Sequence, residues 1–366
     1  MTKTIFHVVY GLHVGGLERV LVNTVSRMPK NYEHTVVCLT SYSDSFASLL
    51  PSNANVVALD KKDGQDFGLF FKWWKLLRAY QPDVVHSYNV APLELQELSA
   101  LAGVKVRIHA EHGRDVYDPF GDNKKYQLLS RLVSPFIHTW VSVSLELHKW
   151  LENTVGLSTS KTQLIRNGID TELFAPQHKS SDEFVVGHVG RLSPIKNQTL
   201  LIDAFCLATC RNAEFAKRAS LNIVGEGESE STLRNHITSK NMSKKISLIG
   251  LREDMPEVYR SFSVFVMSSI GEGIPMTLLE AMASGVPAIV TDVGGMPEVV
   301  TQKEGVVVPS QNADALADAL ILLFESSDLL SSFANASRKR ICMCVSNRAA
   351  DTPDLKVCKI YQSNLH

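Results

Sequence analysis

No stretch of this chain approaches the roughly 18 consecutive apolar residues that a membrane-spanning helix needs, so the sequence offers no transmembrane segment. The apolar residues 5–10, after Met-Thr-Lys-Thr, are too few for a secretion signal and read as a first β-strand. A cytoplasmic protein is the expectation. Excess charge is missing too. Against 37 Lys and Arg stand 38 Asp and Glu, a formal charge of −1. Such a chain has no global attraction for nucleic acid, and any anion must be recognised locally. Cysteine is sparse: Cys38, Cys206, Cys210, Cys342, Cys344 and Cys358 are scattered and read as free thiols. Cys342-Met-Cys344 lacks the paired spacing of a zinc site, so no metal role is expected there. No Gly-x-Gly-x-x-Gly follows the first strand; Gly11-Leu-His-Val-Gly15-Gly16 does not match. That sets aside a dinucleotide-dependent oxidoreductase.

What is present is the composition of a globular protein, 45% apolar and 20% charged over 366 residues. That length exceeds one ordinary core and predicts two domains. Short apolar runs at 5–10, 34–39, 56–59, 84–86, 106–110 and 140–143 alternate with helical patterns such as 17–26, 70–80 and 93–102. This is the βαβ rhythm of a parallel sheet wrapped by helices. It breaks at the turn signal Asn167-Gly168 and the polar run 176–181. It restarts with strands at 184–189, 220–224, 246–250, 264–267, 287–291 and 305–308. The expected division is a Rossmann-like domain at 1–166, a linker at 167–183, a second such domain at 184–340 and an atypical segment at 341–366. In doubly wound sheets ligands bind beyond the carboxyl ends of the strands, and the cleft between two facing sheets is the expected site.

Residues 272–287 read Glu-Gly-Ile-Pro-Met-Thr-Leu-Leu-Glu-Ala-Met-Ala-Ser-Gly-Val-Pro. Pro275 suits the first helical position, where its missing N–H costs nothing. The free amides of that helix start, around Met276 and Thr277, form an anion site. Glu272 before it and Glu280 inside the helix can grip hydroxyls of whatever carries the anion. Gly190-Arg191-Leu-Ser-Pro-Ile-Lys196-Asn197 adds two cations in a strand-to-helix loop. Arginine forks onto phosphate oxygens and lysine supplies a point charge. A nucleotide sugar, with two phosphates between two polyols, fits this set.

Gly-Arg-Leu-x-x-x-Lys-Asn, then Val224-Gly-Glu-Gly227, then Glu272-x7-Glu280 resembles the pattern of glycosyltransferase family 4, which has the GT-B architecture. Gly15-Gly16-Leu-Glu-Arg19 and Glu111-His112-Gly113 extend the resemblance into the first domain. The stretch from His112 to Asp115 is similar to sugar transferases of exopolysaccharide clusters. The resemblance implies an α/β fold of two doubly wound Rossmann-like domains facing across a central cleft. It implies a retaining transfer of a sugar from a nucleotide-diphosphate donor to a hydroxyl of a glycan or lipid-linked acceptor, in extracellular polysaccharide or lipopolysaccharide assembly. Arg191 and Lys196 would hold the diphosphate, Glu272 the transferred sugar, and Glu280 the ribose. The amides of Gly273, Ile274, Pro275's neighbour Met276 and Thr277 would approach sugar and phosphates. Gly15, Gly16 and Gly190 would allow close approach of the backbone, Gly225 and Leu251 would line the base, and His112 would sit at the reaction centre. No Asp-x-Asp occurs, so turnover without a metal or other cofactor is expected.

Each residue taken alone permits a plainer reading. Gly15-Gly16 can be a tight turn, His112 a satisfied core or loop histidine and Glu280 a capping or exposed helix residue. A non-catalytic sugar-nucleotide-binding protein on the same fold is the alternative function. The aromatic and basic residues at 70–78 and 123–126, with Arg131, read first as an ordinary amphipathic helix with Trp in the core, and second as peripheral contact with an anionic membrane or a lipid-diphosphate acceptor. Residues 338–354 depart from the family pattern: helical periodicity is poor, and Pro353 interrupts it. A short helix at 355–361 is the most that segment promises.

Overall fold

A computed structural model of the chain describes residues 2–114, 118–177, 183–344 and 353–365. Asp115, residues 178–182 of the expected linker and residues 345–352 fall outside that description. The chain forms two compact units, Met1–Gly168 with Ala349–His366, and Ile169–Arg348.

The first unit is a sheet of seven strands: β1 (Lys3–Val9), β2 (Tyr32–Cys38), β3 (Ala54–Ala58), β4 (Val84–Tyr88), β5 (Val106–Glu111), β6 (Thr139–Ser142) and β7 (Thr162–Leu164). Their order is β3-β2-β1-β4-β5-β6-β7, and every neighbouring pair is parallel. The second unit holds β8 (Phe184–Val189), β9 (Ala219–Val224), β10 (Ile246–Gly250), β11 (Val264–Met267), β12 (Ala288–Thr291) and β13 (Gly305–Val308). Their order is β10-β9-β8-β11-β12-β13, again all parallel. Strands covered on both faces carry continuous apolar runs, as in Val264-Phe-Val-Met267, which is wholly buried.

Each sheet therefore has one switch point, where the strand order reverses. In the first unit it lies between β1 and β4; in the second it lies between β8 and β11. Loops leaving those strands form the crevice that ligands use in such sheets. Close packing fixes the second switch point: Gly187 on β8 has no side chain because a Cβ there would lie 2.1 Å from the Phe262 ring.

One expectation for the C-terminal segment needs correction. Residues 338–344 are helical, as the end of the Ser327–Cys344 helix. Tertiary contacts compensate for the poor periodicity. Arg338 donates to the carbonyls of Phe174, Ala283 and Thr171 at 2.7, 2.6 and 2.8 Å. Ser337 donates to Glu304 O at 2.8 Å, and Ile341 is fully buried. Pro353 is the first described residue of the Pro353–Leu365 helix, which contains the short helix expected at 355–361. That helix completes the core of the first unit. Val357, Cys358, Ile360 and Tyr361 pack with Ile5, Val36, Val84 and Ile108.

The 70–78 segment lies in the Phe67–Tyr80 helix, with Trp73 as core: it is fully buried and its Nε1 donates to Leu95 O at 3.1 Å. Phe67 and Phe71 stay exposed.

Candidate functional site

The second unit gathers most of the expected residues around its switch point. Three loops zip together after β8, β9 and β10. Gly190 N donates to Val224 O at 3.0 Å, Leu192 N to Glu226 O at 2.9 Å and Gly225 N to Gly250 O at 2.9 Å. Gly225, at φ +135°, is required to be glycine: a Cβ there would meet Gly190 O at 2.1 Å. Leu251 follows β10 and is about half exposed.

Arg191 projects from the loop after β8. Its guanidinium is exposed and has no partner among the described residues, while its carbonyl accepts from Gln198 Nε2 at 2.9 Å. Gln198 Nε2 also lies 3.2 Å from His188 Nε2, and His188 Nδ1 lies 2.9 Å from Val266 O. The carbonyl can only accept, so Nδ1 carries the proton and Nε2 accepts from the glutamine. Burial pushes the His188 pKa down to about 4, with the Lys196 charge acting in the same direction. A neutral imidazole thus braces the loop that bears Arg191.

Lys196 and Glu272 form an ion pair, with both side chains largely withdrawn from solvent. The same carboxylate oxygen of Glu272 accepts from Ser269 Oγ at 2.7 Å. Thr291 Oγ1 in turn donates to Ser269 O at 2.7 Å. Ser268 Oγ donates to Lys196 O and Asn197 O at 3.1 and 2.9 Å, tying the loop after β11 to the loop after β8. Gly294, at φ +56°, presses on the Glu272 peptide: a Cβ there would lie 1.8 Å from Glu272 O. Gly295 N donates to Gly273 O at 2.9 Å. Ser269, Thr291, Gln198, His188 and Gly294 escaped the sequence reading. Only the pair Ser268-Ser269 just before Glu272 offered a signal.

Gly273, Ile274 and Pro275 lead into the Met276–Ala283 helix. Pro275 is its N-cap (φ −68°, ψ 132°) and not its first helical residue, a shift of one position. Leu279 N is the first amide of that helix bonded back, to Pro275 O. The amides of Met276, Thr277 and Leu278 precede it, as first-turn amides without an intrahelical acceptor. Glu280 is buried, not exposed, and its Oε2 accepts from Tyr259 Oη at 2.6 Å. Burial, and then the Glu280 charge, holds the Tyr259 phenol well above its ordinary pKa. The phenol therefore stays a donor.

In the first unit, Gly15 is the N-cap of the Gly16–Arg27 helix, and a Cβ there would lie 2.1 Å from the Glu18 carboxylate. A Cβ on Gly16 would meet nothing within 4 Å, so packing does not demand that glycine. His112 follows β5. Its backbone N–H donates to Asn89 Oδ1 at 2.8 Å, and its ring lies 5.6 Å from that of Tyr88. Its Nδ1 is buried without a partner among the described residues. Burial lowers the His112 pKa to about 3. His112 is a neutral imidazole at ordinary pH.

Two family profiles divide the chain between them. Residues 14–173 match "Glycosyltransferase Family 4", and residues 170–340 match "Glycosyl transferases group 1". A similar protein is the UDP-Gal:alpha-D-GlcNAc-diphosphoundecaprenol alpha-1,3-galactosyltransferase of Escherichia coli, 27% identical over 84% of each chain. Another is the lipopolysaccharide core biosynthesis mannosyltransferase LpsB of Rhizobium meliloti, 28% identical over 55% of this chain and 60% of that one. Among solved structures, Anabaena Alr3699/HepE in complex with UDP and glucose superposes with a TM-score of 0.81 at 19% identity, over 99% of this chain and 100% of that one. The architecture is GT-B.

Proposed function

The chain belongs to the glycosyltransferases of family 4, and from that premise we propose that it is a retaining enzyme using a nucleotide-diphosphate sugar. The observation that carries this reading is the cluster at the second switch point: the Lys196–Glu272 pair, the exposed Arg191 and the first-turn amides of 276–278. Three positive features converge there with one oriented carboxylate.

In this proposal the diphosphate lies against Arg191, Lys196 and the helix amides. Negative charge grows on the leaving phosphate oxygen during transfer, and fixed donors aimed at it lower the barrier. Glu272 takes hydroxyls of the departing sugar and Glu280 the ribose. The donor diphosphate must share Lys196 with Glu272, so binding loosens an ion pair that the empty site holds closed. The acceptor hydroxyl attacks on the face the phosphate leaves, and a leaving phosphate oxygen takes its proton. Those roles need no metal. In the same proposal His112, held neutral by burial, acts as a hydrogen-bonding group.

The Escherichia coli relative's name and the neighbour's complex with UDP and glucose favour a UDP-hexose donor and a sugar-diphosphate-polyprenol acceptor. A lipid-linked acceptor places the enzyme on the cytoplasmic face of a membrane. The Lys124–Val133 helix supports this. Leu128 and Leu132, with Phe136 beyond, are exposed beside Lys124, Lys125 and Arg131. Apolar residues ringed by cations suit anionic headgroups. No helix of the described residues is long and apolar enough to span a membrane.

A thermal-shift panel of UDP-, GDP- and ADP-sugars, with and without EDTA, tests the donor reading. A donor raises the melting temperature by mass action. No shift with any donor overturns the reading, and a shift abolished by EDTA refutes metal-free binding.

A further inference from the structure

Beside His112 lies a polar chain that no role above uses. Gln96, Ser87 and His109 are fully or almost fully buried, and Glu111 is 7% exposed. Gln96 Nε2 lies 2.7 Å from Ser87 Oγ and 2.8 Å from Ile108 O, so its two N–H groups are both spent. Ser87 Oγ lies 2.8 Å from His109 Nδ1, and His109 Nε2 lies 3.1 Å from Glu111 Oε1. A serine hydroxyl has one proton. Its other acceptor, Ile108 O, is at 3.5 Å, so the proton goes to His109 Nδ1. His109 then carries its own proton on Nε2 and donates it to Glu111. The ring is also held edge-on to Trp140, at 4.7 Å and 68°. Every member of the chain points its donor toward one carboxylate oxygen.

Glu111 Oε2 is left over. It has no hydrogen-bond partner among the described residues and is not among the atoms sealed from solvent. A largely buried carboxylate is costly unless its lone pairs are used. If core packing were all that Glu111 provided, an apolar side chain would serve better. Glu111 ends β5, at the carboxyl edge of the sheet and beside the switch-point strand β4. That edge is where ligands of such sheets bind.

We propose that Glu111 is an acceptor-binding residue whose Oε2 takes a hydrogen bond from a hydroxyl of the acceptor sugar, and that His109 is the positioning residue that aims it. The proposal rests on the transfer reading above. An ionised carboxylate only accepts, so the subsite selects a hydroxyl that donates and rejects its O-methyl ether, which cannot.

The test uses UDP-galactose as donor and a short-chain α-GlcNAc-diphosphate lipid as acceptor. Glu111→Gln is expected to raise the acceptor KM by about 10- to 100-fold, the worth of a hydrogen bond to a charged group. Its affinity for UDP, read by calorimetry, is expected to stay near the wild-type value. His109→Gln keeps an N–H donor and is expected to hold most of the acceptor affinity, whereas His109→Leu is expected to lose it. An unchanged acceptor KM in Glu111→Gln overturns the proposal. So does an equal loss of UDP affinity, which marks a role in the fold or the donor side. Should Glu111→Gln fail to fold, the two His109 variants decide: equal KM values for both overturn it. A wild type that neither binds UDP nor transfers galactose strikes at the donor reading itself, before any variant is made.

Discussion

Replacing Gly294 with alanine should damage a site it never touches through a side chain. Gly294 sits at φ +56°, where an L-residue costs roughly 1–2 kcal/mol. The new Cβ would also lie 1.8 Å from Glu272 O, where real Cβ contacts stay beyond 3.0 Å. One of the two backbone segments must yield by about 1.2 Å. The Gly295 N to Gly273 O bond ties the 294 segment to the loop that carries Glu272, so the displacement either shifts that loop or strains this tie. A misplacement of about 1 Å at a reacting group can cost on the order of 10²-fold in rate. Gly294→Ala is therefore expected to lose on the order of 10²-fold in kcat/KM for the donor while the fold survives. Steady-state kinetics beside a melting curve measures both. Wild-type kcat/KM in a folded variant would show that the Glu272 peptide is not held by this contact.

Three further outcomes follow from other parts of the molecule. Tyr361→Phe removes a phenol that bonds His86 Nδ1 at 2.7 Å, although Tyr88 remains at 3.1 Å. A loss of about 1 kcal/mol and a melting temperature lower by about 2–4 °C are expected; an unchanged midpoint would show that the C-terminal helix does not stabilise the first unit through this bond. His34 and His188 have pKa values lowered to about 4 and His112 to about 3, chiefly by burial, against about 6.5 unfolded. Between those limits the unfolded chain binds more protons, so the stability is full above pH 6.5 and is lost as pH falls toward 4, at about 1.4 kcal/mol per pH unit for each histidine; a midpoint flat from pH 7 to 4.5 would contradict this. The double variant Leu128→Ser with Leu132→Ser is expected to lose co-sedimentation with phosphatidylglycerol vesicles, and equal sedimentation would exclude this face.

The residues proposed to hold the donor stand out in the sequence because phosphate and hydroxyl recognition demands few residue types at the ends of strands. Arg191, Lys196 and Glu272 all fall on the loops of one switch point. Their supports were not legible. Thr291 and Gly294 act on Ser269 and Glu272 from 22 residues downstream, and His188 and Gln198 read as ordinary core residues until the strands are paired. Pattern along a chain does not report contacts across it. The same gap explains the end of the Ser327–Cys344 helix, whose stability comes from three distant carbonyls on Arg338. The strand β7, three residues long, is too short to carry a period.

The donor clamp is tested most directly by titrating UDP and the matching UDP-sugar into wild type, Lys196→Ala and Glu272→Gln in a calorimeter. Lys196→Ala should weaken both ligands by about tenfold or more, since a charge-assisted phosphate contact is lost. Glu272→Gln releases Lys196 from its partner, so UDP should bind as well as before or better, while the extra affinity contributed by the sugar disappears. Undiminished binding of both ligands to Lys196→Ala, or equal weakening of both by Glu272→Gln, would contradict the account.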